Sequence, residues 1–201
     1  MVDLASILVT LPVILLSLTV HEYAHAAAAN ALGDPTAKWQ GRLTLNPLAH
    51  LDVFGTLALI LTQRFGWAKP VPVNPAYFKD WRRGMMVVGV AGPLANVALA
   101  FLMALPLRLG IHMPLWLMRL VISGIVINLG LAAFNLIPIP PLDGSRLLLG
   151  VLRGKNLYIY HQLESYGSFI LLLLVFSGAT RIIMGPIINL LALLVLGQRL
   201  L

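Results

Sequence analysis

The sequence predicts an all-α polytopic membrane protein with about five to six transmembrane helices. Hydrophobic residues make up 59% of the chain and charged residues only 10%, whereas soluble domains carry about 25% charged residues. Several charge-free runs approach the roughly 20 residues that a helix needs to cross a bilayer. We therefore expect a single domain, residues 1–201, embedded in a lipid bilayer, with a core over 4–150 and C-terminal helices over 160–201.

The first half of the chain begins with a long helix and continues with shorter elements. An apolar run predicts a helix from Leu4 to Leu32, which ends at Gly33-Asp34-Pro35 because glycine suits a C-cap and proline cannot continue a helix. The pattern of Lys38–Leu45, with a glycine at its centre, predicts a short hairpin or edge strand. Val53–Thr62 is apolar but only ten residues long, too short to span. These stretches predict a re-entrant or β-like segment between the first two long helices.

Four further apolar runs predict helices in the rest of the chain. Gly84–Leu107 and Leu115–Phe134 are long enough to span, and a proline-rich break follows the second of them. Two more spans are predicted at roughly Gly167–Met184 and Pro186–Leu196. Before these runs, the linker Lys69–Pro75 carries three prolines, which exclude a helix and keep it extended.

The residues His21-Glu22-Tyr23-Ala24-His25 form an H-E-x-x-H motif within one of the most apolar segments. Residues four apart lie on one face of a helix, so the two imidazoles point the same way and can hold one Zn²⁺. Glu22 beside them has the position of a general base for the water that the metal activates. The chain has no cysteine, so any further zinc ligand must be a histidine or a carboxylate.

A catalytic zinc site usually has three protein ligands, so one more is needed. Position 31 is alanine, which excludes the metzincin pattern with its third histidine six residues after His25. Four other side chains are candidates: Asp34, His50, Asp52 and Asp143. Asp34 suits a turn. Asp143 follows a broken apolar helix in Pro-Leu-Asp-Gly, where a carboxylate is costly unless it is paired or bound to metal, so Asp143 is favoured.

The net charge of +7 indicates topology and not a nucleic-acid partner. The basic residues lie mostly in the loops before Gly84 and after Asp143, and such loops usually face the cytoplasm. Suppose that the first helix ends on the cytoplasmic side and that the next two long runs cross the membrane outward and then inward. Asp143, which follows the second of these runs, then lies at the same membrane face as His21 and His25. We therefore expect the site toward the cytoplasmic side.

Three motifs carry a resemblance: His21–His25, Gly92-Pro93-Leu94-Ala95-Asn96, and the run Asn135–Gly144 that contains Pro-Pro-Leu-Asp-Gly. Together they resemble the site-2 protease family of intramembrane zinc metalloproteases, peptidase family M50, in its compact bacterial and archaeal branch without PDZ or CBS domains. The resemblance implies one Zn²⁺ per chain, with Glu22 as the general base. The implied metal ligands are His21, His25 and Asp143.

The resemblance and the position of one loop mark three further polar residues. Asn96 matches the family's usual asparagine, and its amide either donates to the oxyanion of a tetrahedral intermediate or makes a helix–helix hydrogen bond. Asn135 either orients substrate or caps a helix end. His50 is either a partner of a ligating histidine or a part of the loop structure.

These features predict an intramembrane zinc metalloprotease that hydrolyses peptide bonds of membrane-spanning or membrane-anchored proteins or peptides, in a bacterial or archaeal cell membrane. Two alternatives are a zinc-binding membrane carrier or sensor and an inactive, protease-like scaffold. A transporter should carry ligands in both halves or an inverted repeat, and the sequence has no convincing repeat. An inactive scaffold has no need of an intact Glu22 beside intact ligands.

Overall fold

The computed structural model describes residues 4–62 and 66–198, and the last predicted helical residues, 199–201, lie outside this part. Within the described ranges all regular elements are helical, which confirms the all-α class. The helices are α1 (Leu4–Ala31), α2 (Thr36–Trp39), α3 (Val53–Thr62), α4 (Trp81–Arg108), α5 (Leu115–Asn135), α6 (Asp143–Val151), α7 (Lys155–Phe176) and α8 (Ala179–Leu196). The connection from α1 to α4 also contains two 3₁₀ turns, Pro47–Ala49 and Pro75–Tyr77, and one isolated β-bridge between Leu51 and Ala68.

Four of the described helices, α4, α5, α7 and α8, are long and apolar enough to cross a bilayer. The chain is therefore an integral membrane protein, with four helices of this kind where the sequence predicts five to six. α1 has 28 residues, about 42 Å at 1.5 Å per residue. α3 and α6 have ten and nine residues, too few to span, and the re-entrant path of α3 stays a prediction.

The end of α1 follows the predicted turn. Gly33 has a φ of 102°, in the left-handed region that glycine adopts without strain. Asp34 is fully buried, and its carboxylate accepts the Thr36 N–H (2.9 Å) and the Thr36 hydroxyl. The same carboxylate accepts the N–H of Asn74 (2.7 Å), so it joins the end of α1 to a segment 40 residues further along the chain.

The predicted hairpin or strand at Lys38–Leu45 is wrong, because α2 and a turn occupy this stretch. The glycine that suggested a hairpin turn closes a helix instead. Gly41 has a φ of 67°, its N–H donates to the Lys38 carbonyl (3.0 Å), and the Arg42 N–H donates to the Ala37 carbonyl (2.8 Å). This pair of hydrogen bonds is the Schellman motif, which satisfies the last carbonyls of a helix.

The boundary between the two C-terminal helices differs from the predicted one. The sequence predicted the spans Gly167–Met184 and Pro186–Leu196, with the break before Pro186. The chain turns at Gly178, whose φ of 77° ends α7 in the left-handed conformation. Pro186 lies inside α8, where neighbouring helices in a membrane protein tolerate the lost hydrogen bond. Proline is therefore a weaker boundary signal here than it is in a soluble domain.

α4 is the central helix, and it packs against α1, α5, α6 and α8. Small residues on a membrane helix let neighbouring helices approach closely. The buried positions of α4 are mostly small: Gly84, Val88, Gly89, Gly92, Pro93, Asn96, Ala100 and Ala104. Toward α5 and α8 this surface meets an apolar core that includes Leu129, Ala132 and Val195. Toward α1 and α6 it leaves room for polar side chains.

Replacement of Asp34 by alanine should destabilise the protein by about 1–3 kcal/mol, because the N–H groups of Thr36 and Asn74 would lose a fully buried acceptor. Asp80→Ala is the matched control. Asp80 accepts two N–H groups at the start of α4 but is exposed, and loss of such a cap costs about 1 kcal/mol. Unfolding in detergent micelles should rank Asp34→Ala as the less stable variant, and equal losses would contradict the role of Asp34.

Candidate metal centre

Three donor atoms from distant parts of the chain converge between α1, α4 and α6. His21 and His25 lie one turn apart on α1, and their Nε2 atoms are 3.0 Å from each other. The Oδ2 atom of Asp143, the first residue of α6, lies 3.1 Å from His21 Nε2 and 3.0 Å from His25 Nε2. All three residues are between 5% and 7% exposed. The structure thus brings the H-E-x-x-H histidines together with the favoured carboxylate.

Hydrogen bonds behind the two imidazoles orient their Nε2 atoms. His25 Nδ1 lies 2.7 Å from the carbonyl oxygen of Val88, which can only accept, so Nδ1 carries the hydrogen and Nε2 of the neutral ring keeps a lone pair. His21 Nδ1 lies 2.6 Å from Asn96 Oδ1 and donates to it. A metal-bound histidine usually donates its other ring N–H to such an acceptor.

The geometry of these three donors fits zinc. Three lone pairs aimed at one point repel one another, and a cation between them removes that repulsion. Ligand bonds of about 2.0–2.2 Å in a tetrahedral site separate the ligand atoms by roughly 3.3–3.6 Å, a few tenths of an ångström more than the separations of 3.0–3.1 Å. Two histidines and one carboxylate also match the ligand number of catalytic zinc sites, which keep the fourth position open.

The proline-rich break after α5 delivers Asp143 to the site. Prolines stop α5, and the chain re-enters a helix at Asp143, so its carboxylate lies in the first turn of α6. Gly144 lets this turn press against the end of α5, because a Cβ there would overlap the Leu136 and Ile137 carbonyl oxygens. The second carboxylate oxygen, Oδ1, lies 3.7 Å from Arg146 Nη1, which leaves Oδ2 directed at the histidines.

Gly92 is a site residue that the sequence marks only as the first residue of the motif Gly92–Asn96, without a role of its own. A Cβ at this position would overlap His25 Nε2 and the His21 ring. Glycine is therefore the residue that lets the backbone of α4 lie directly against both imidazoles. The signal in the sequence was a glycine in the middle of a predicted membrane helix, but its partner could not be known from spacing.

Glu22 follows His21 on α1 and contacts an extended segment that we call the strap, Lys69–Pro75. Its Oε2 atom accepts the N–H of Val71 (3.2 Å). The residues on both sides of Val71 are prolines, which have no N–H, so Val71 provides the donor in this part of the strap. The Val71 side chain is buried against Ala26 and Ala37 and fixes the strap to α1.

Asn96 lies behind His21 and is fully buried. Its Nδ2 atom donates to the Ser17 carbonyl (3.1 Å) and to Asn128 Oδ1 (2.8 Å), and its Oδ1 atom accepts from His21. Both amide hydrogens are thus engaged within the protein. This geometry favours the helix–helix interpretation of Asn96 over the donor to an oxyanion.

The other predicted candidates lie apart from the three donors. His50 Nε2 donates to the Thr44 carbonyl (2.8 Å), and the His50 carbonyl accepts the Lys69 N–H (2.9 Å), so His50 holds the loop before α3 against the strap. Asp52 accepts the N–H of Gly55 (2.8 Å) at the start of α3. Asn135 donates to the Leu131 carbonyl of its own helix (3.1 Å).

This membrane fold and this set of donor atoms define a class of protein, the zinc metallopeptidases of the site-2 protease type. Comparison with known proteins agrees with it: the sequence model of peptidase family M50 matches residues 108–178, which span α5 to α7. The chain belongs to peptidase family M50, because a relative from Bacillus subtilis (strain 168), the zinc metalloprotease candidate YwhC, is 42% identical over 184 residues. That alignment covers 88% of this chain and 84% of YwhC.

Two further relatives are similar over less of their length. The zinc metalloprotease candidate Rip2 of Mycolicibacterium smegmatis is 31% identical over 175 residues, which cover 82% of this chain and 65% of Rip2. A zinc metalloprotease candidate of Methanocaldococcus jannaschii is 48% identical over 96 residues, 46% of this chain and 49% of that protein. No solved structure matches the chain.

Gly92→Ala should lower the zinc affinity by about tenfold or more, because the added methyl group displaces both imidazoles. The measurement is the zinc content of protein purified in detergent, followed by titration of the metal-free form. Gly130→Ala is the matched control, since a Cβ at this helical glycine would meet no described atom within 4 Å beyond its own helix backbone. Equal zinc affinity in the two variants would show that the close approach of α4 is unimportant.

Asp143→Ala should abolish stoichiometric zinc, because only two protein ligands would remain. Asp52→Ala, the same change at a carboxylate outside the site, should keep the zinc content of the unaltered protein. Metal analysis of both variants tests the assignment. Zinc retained by Asp143→Ala and lost by Asp52→Ala would move the third ligand to the loop before α3.

Proposed function

We propose that this zinc metallopeptidase is an intramembrane protease that hydrolyses peptide bonds in membrane-spanning or membrane-anchored substrates. The observation that carries the proposal is the convergence of His21, His25 and Asp143 at a buried point within a set of apolar helices. Membership of peptidase family M50 supports hydrolysis as the chemistry of this centre. In this proposal, one zinc ion is held by the three converging donor atoms.

Glu22 is the general base in the proposed reaction. Zinc bound at such a site supplies Lewis acidity, which polarises a peptide carbonyl and acidifies water. The Val71 N–H occupies Glu22 Oε2 and leaves Oε1 to take the proton from the attacking water. Glu22 then gives that proton to the amine nitrogen of the leaving peptide, so the one side chain serves as base and then as acid.

The proposed substrate is a transmembrane protein or peptide whose helix unwinds easily near the cleaved bond. A helix keeps its carbonyls in internal hydrogen bonds, and an unpaired one costs several kcal/mol in hydrocarbon. Helices with weak or broken turns therefore reach the buried donors most readily. The polar and proline-rich stretch between α1 and α4 is the proposed path for water.

The proposed topology has five crossings: α1, α4, α5, α7 and α8. If α1 ends on the cytoplasmic side, α4 leads out and α5 returns, so that Asp143 arrives at the face where His21 and His25 lie. The contact of these three residues supports this parity, and it requires that α3 does not cross. The basic loops before α4 and around α6 agree with a cytoplasmic location, in a bacterial or archaeal cell membrane.

Glu22→Gln should lower the rate of cleavage of a transmembrane model substrate by about 10²–10⁴-fold, the usual contribution of a general base. Zinc content should stay unchanged, because Glu22 is not one of the three converging donors. The two measurements are made on the same preparation in detergent or liposomes.

Glu164→Gln is the matched control for this experiment, because Glu164 is an exposed carboxylate on α7. It should cleave at the rate of the unaltered protein. Cleavage retained by Glu22→Gln would assign the base to another group. An unaltered protein that binds zinc and cleaves no membrane substrate would favour a carrier or scaffold.

A further inference from the structure

We propose that Asn128 and Ser17 are positioning residues that act through Asn96 to fix the orientation and tautomer of His21. Asn128 lies on α5, Asn96 on α4 and Ser17 on α1, one turn before His21. All three are fully buried. Their side chains form a closed set of hydrogen bonds in which every donor hydrogen has an acceptor. The inference rests on the proposed function only in taking His21 as a zinc ligand.

The orientation of the Asn128 amide is determined by a backbone carbonyl. Its Nδ2 atom lies 2.9 Å from the Gly124 carbonyl oxygen, which can only accept a hydrogen bond. The other Nδ2 hydrogen goes to Ser17 Oγ (2.9 Å), and Ser17 Oγ donates in turn to the Val13 carbonyl (2.7 Å). Asn128 Oδ1 must then face α4.

The orientation of the Asn96 amide follows from two acceptors. Its Nδ2 atom lies 3.1 Å from the Ser17 carbonyl and 2.8 Å from Asn128 Oδ1. Neither of these oxygen atoms can donate, so the nitrogen of the Asn96 amide must lie on this side. The Oδ1 atom is thereby turned toward α1.

The tautomer of His21 is the consequence. Asn96 Oδ1 can only accept, so His21 Nδ1 must carry a hydrogen, and the neutral ring keeps its lone pair on Nε2. That atom points at His25 and Asp143. The Gly124 carbonyl therefore determines, through two amides, which nitrogen of His21 is free to bind a metal. The Val88 carbonyl does the same for His25 in a single step.

Loss of Asn128 should weaken this constraint without touching the metal ligands. Asn128→Leu keeps the side-chain size and removes one of the two acceptors of the Asn96 amide nitrogen, which weakens the constraint on the orientation of that amide. Ser17→Ala removes one acceptor from Asn128 and should have a smaller effect. Mutation of a residue that hydrogen-bonds directly to a metal-bound histidine typically changes metal affinity by about 10–100-fold. Asn128 is separated from His21 by one more hydrogen bond, because it acts through Asn96.

The experiment is a zinc titration of the full chain in detergent, after metal removal, against a chromophoric chelator. Asn128→Leu should bind zinc about tenfold more weakly, and Ser17→Ala several-fold more weakly. The cobalt-substituted form of Asn128→Leu should also show shifted visible absorption bands, because a reoriented His21 changes the ligand geometry. A purely structural role would lower stability and leave both of these readouts unchanged.

Two control variants match the changes. Asn135→Leu alters an asparagine of the same helix that bonds to its own backbone, and Thr19→Val alters an α1 hydroxyl that donates to the Leu15 carbonyl. Both should bind zinc as the unaltered protein does.

Unchanged zinc affinity and cobalt spectra in both Asn128→Leu and Ser17→Ala would overturn the inference. If Asn128→Leu fails to fold, Ser17→Ala decides alone, because alanine is the best helix former. A protein that binds zinc, responds to these variants and cleaves no membrane substrate would overturn the proposed function and leave this inference in place.

Discussion

The contact between the Asp143 carboxylate and the two imidazoles of α1 is the interaction on which this molecule depends. Its partners are separated by 118 and 122 residues, so α1, α4 and α6 must all be in place before it forms. Hydrophobic packing is non-directional, and an apolar bundle alone does not aim three donor atoms at one point. Direction comes from the Val88 carbonyl, from the Asn96 amide, and from a glycine that lets α4 approach.

The strap joins this buried centre to the polar loops. Lys69, its first residue, donates its N–H to the His50 carbonyl and accepts from the Arg42 side chain, while Asn74 near the other end donates to Asp34. Between these anchors, Val71 donates to Glu22. The orientation of the proposed base therefore depends on loops that precede and follow α3. A change in those loops can reach the reaction without touching a metal ligand.

Sequence patterns predicted the elements whose signals are local, and they failed where one signal has two meanings. The end of α1 at Gly33 agrees with prediction, because a C-cap glycine suffices. Gly41 suits a hairpin and a Schellman motif equally, and only the acceptors on α2 distinguish them. At the metal centre, His21, His25 and Asp143 were accessible from spacing and from the cost of a charge in lipid. Gly92 and Asn128 were not, because their roles exist only once helices pack.

The order of the two halves of the metal centre along the chain has a consequence for biosynthesis. His25 is made 118 residues before Asp143. At roughly 5–20 residues per second, the ribosome needs roughly 6–24 s to travel that distance. During this interval the nascent chain holds both imidazoles but not the Asp143 carboxylate, so its metal centre has two of the three converging donors. The centre can therefore be completed only after most of the chain has been synthesised.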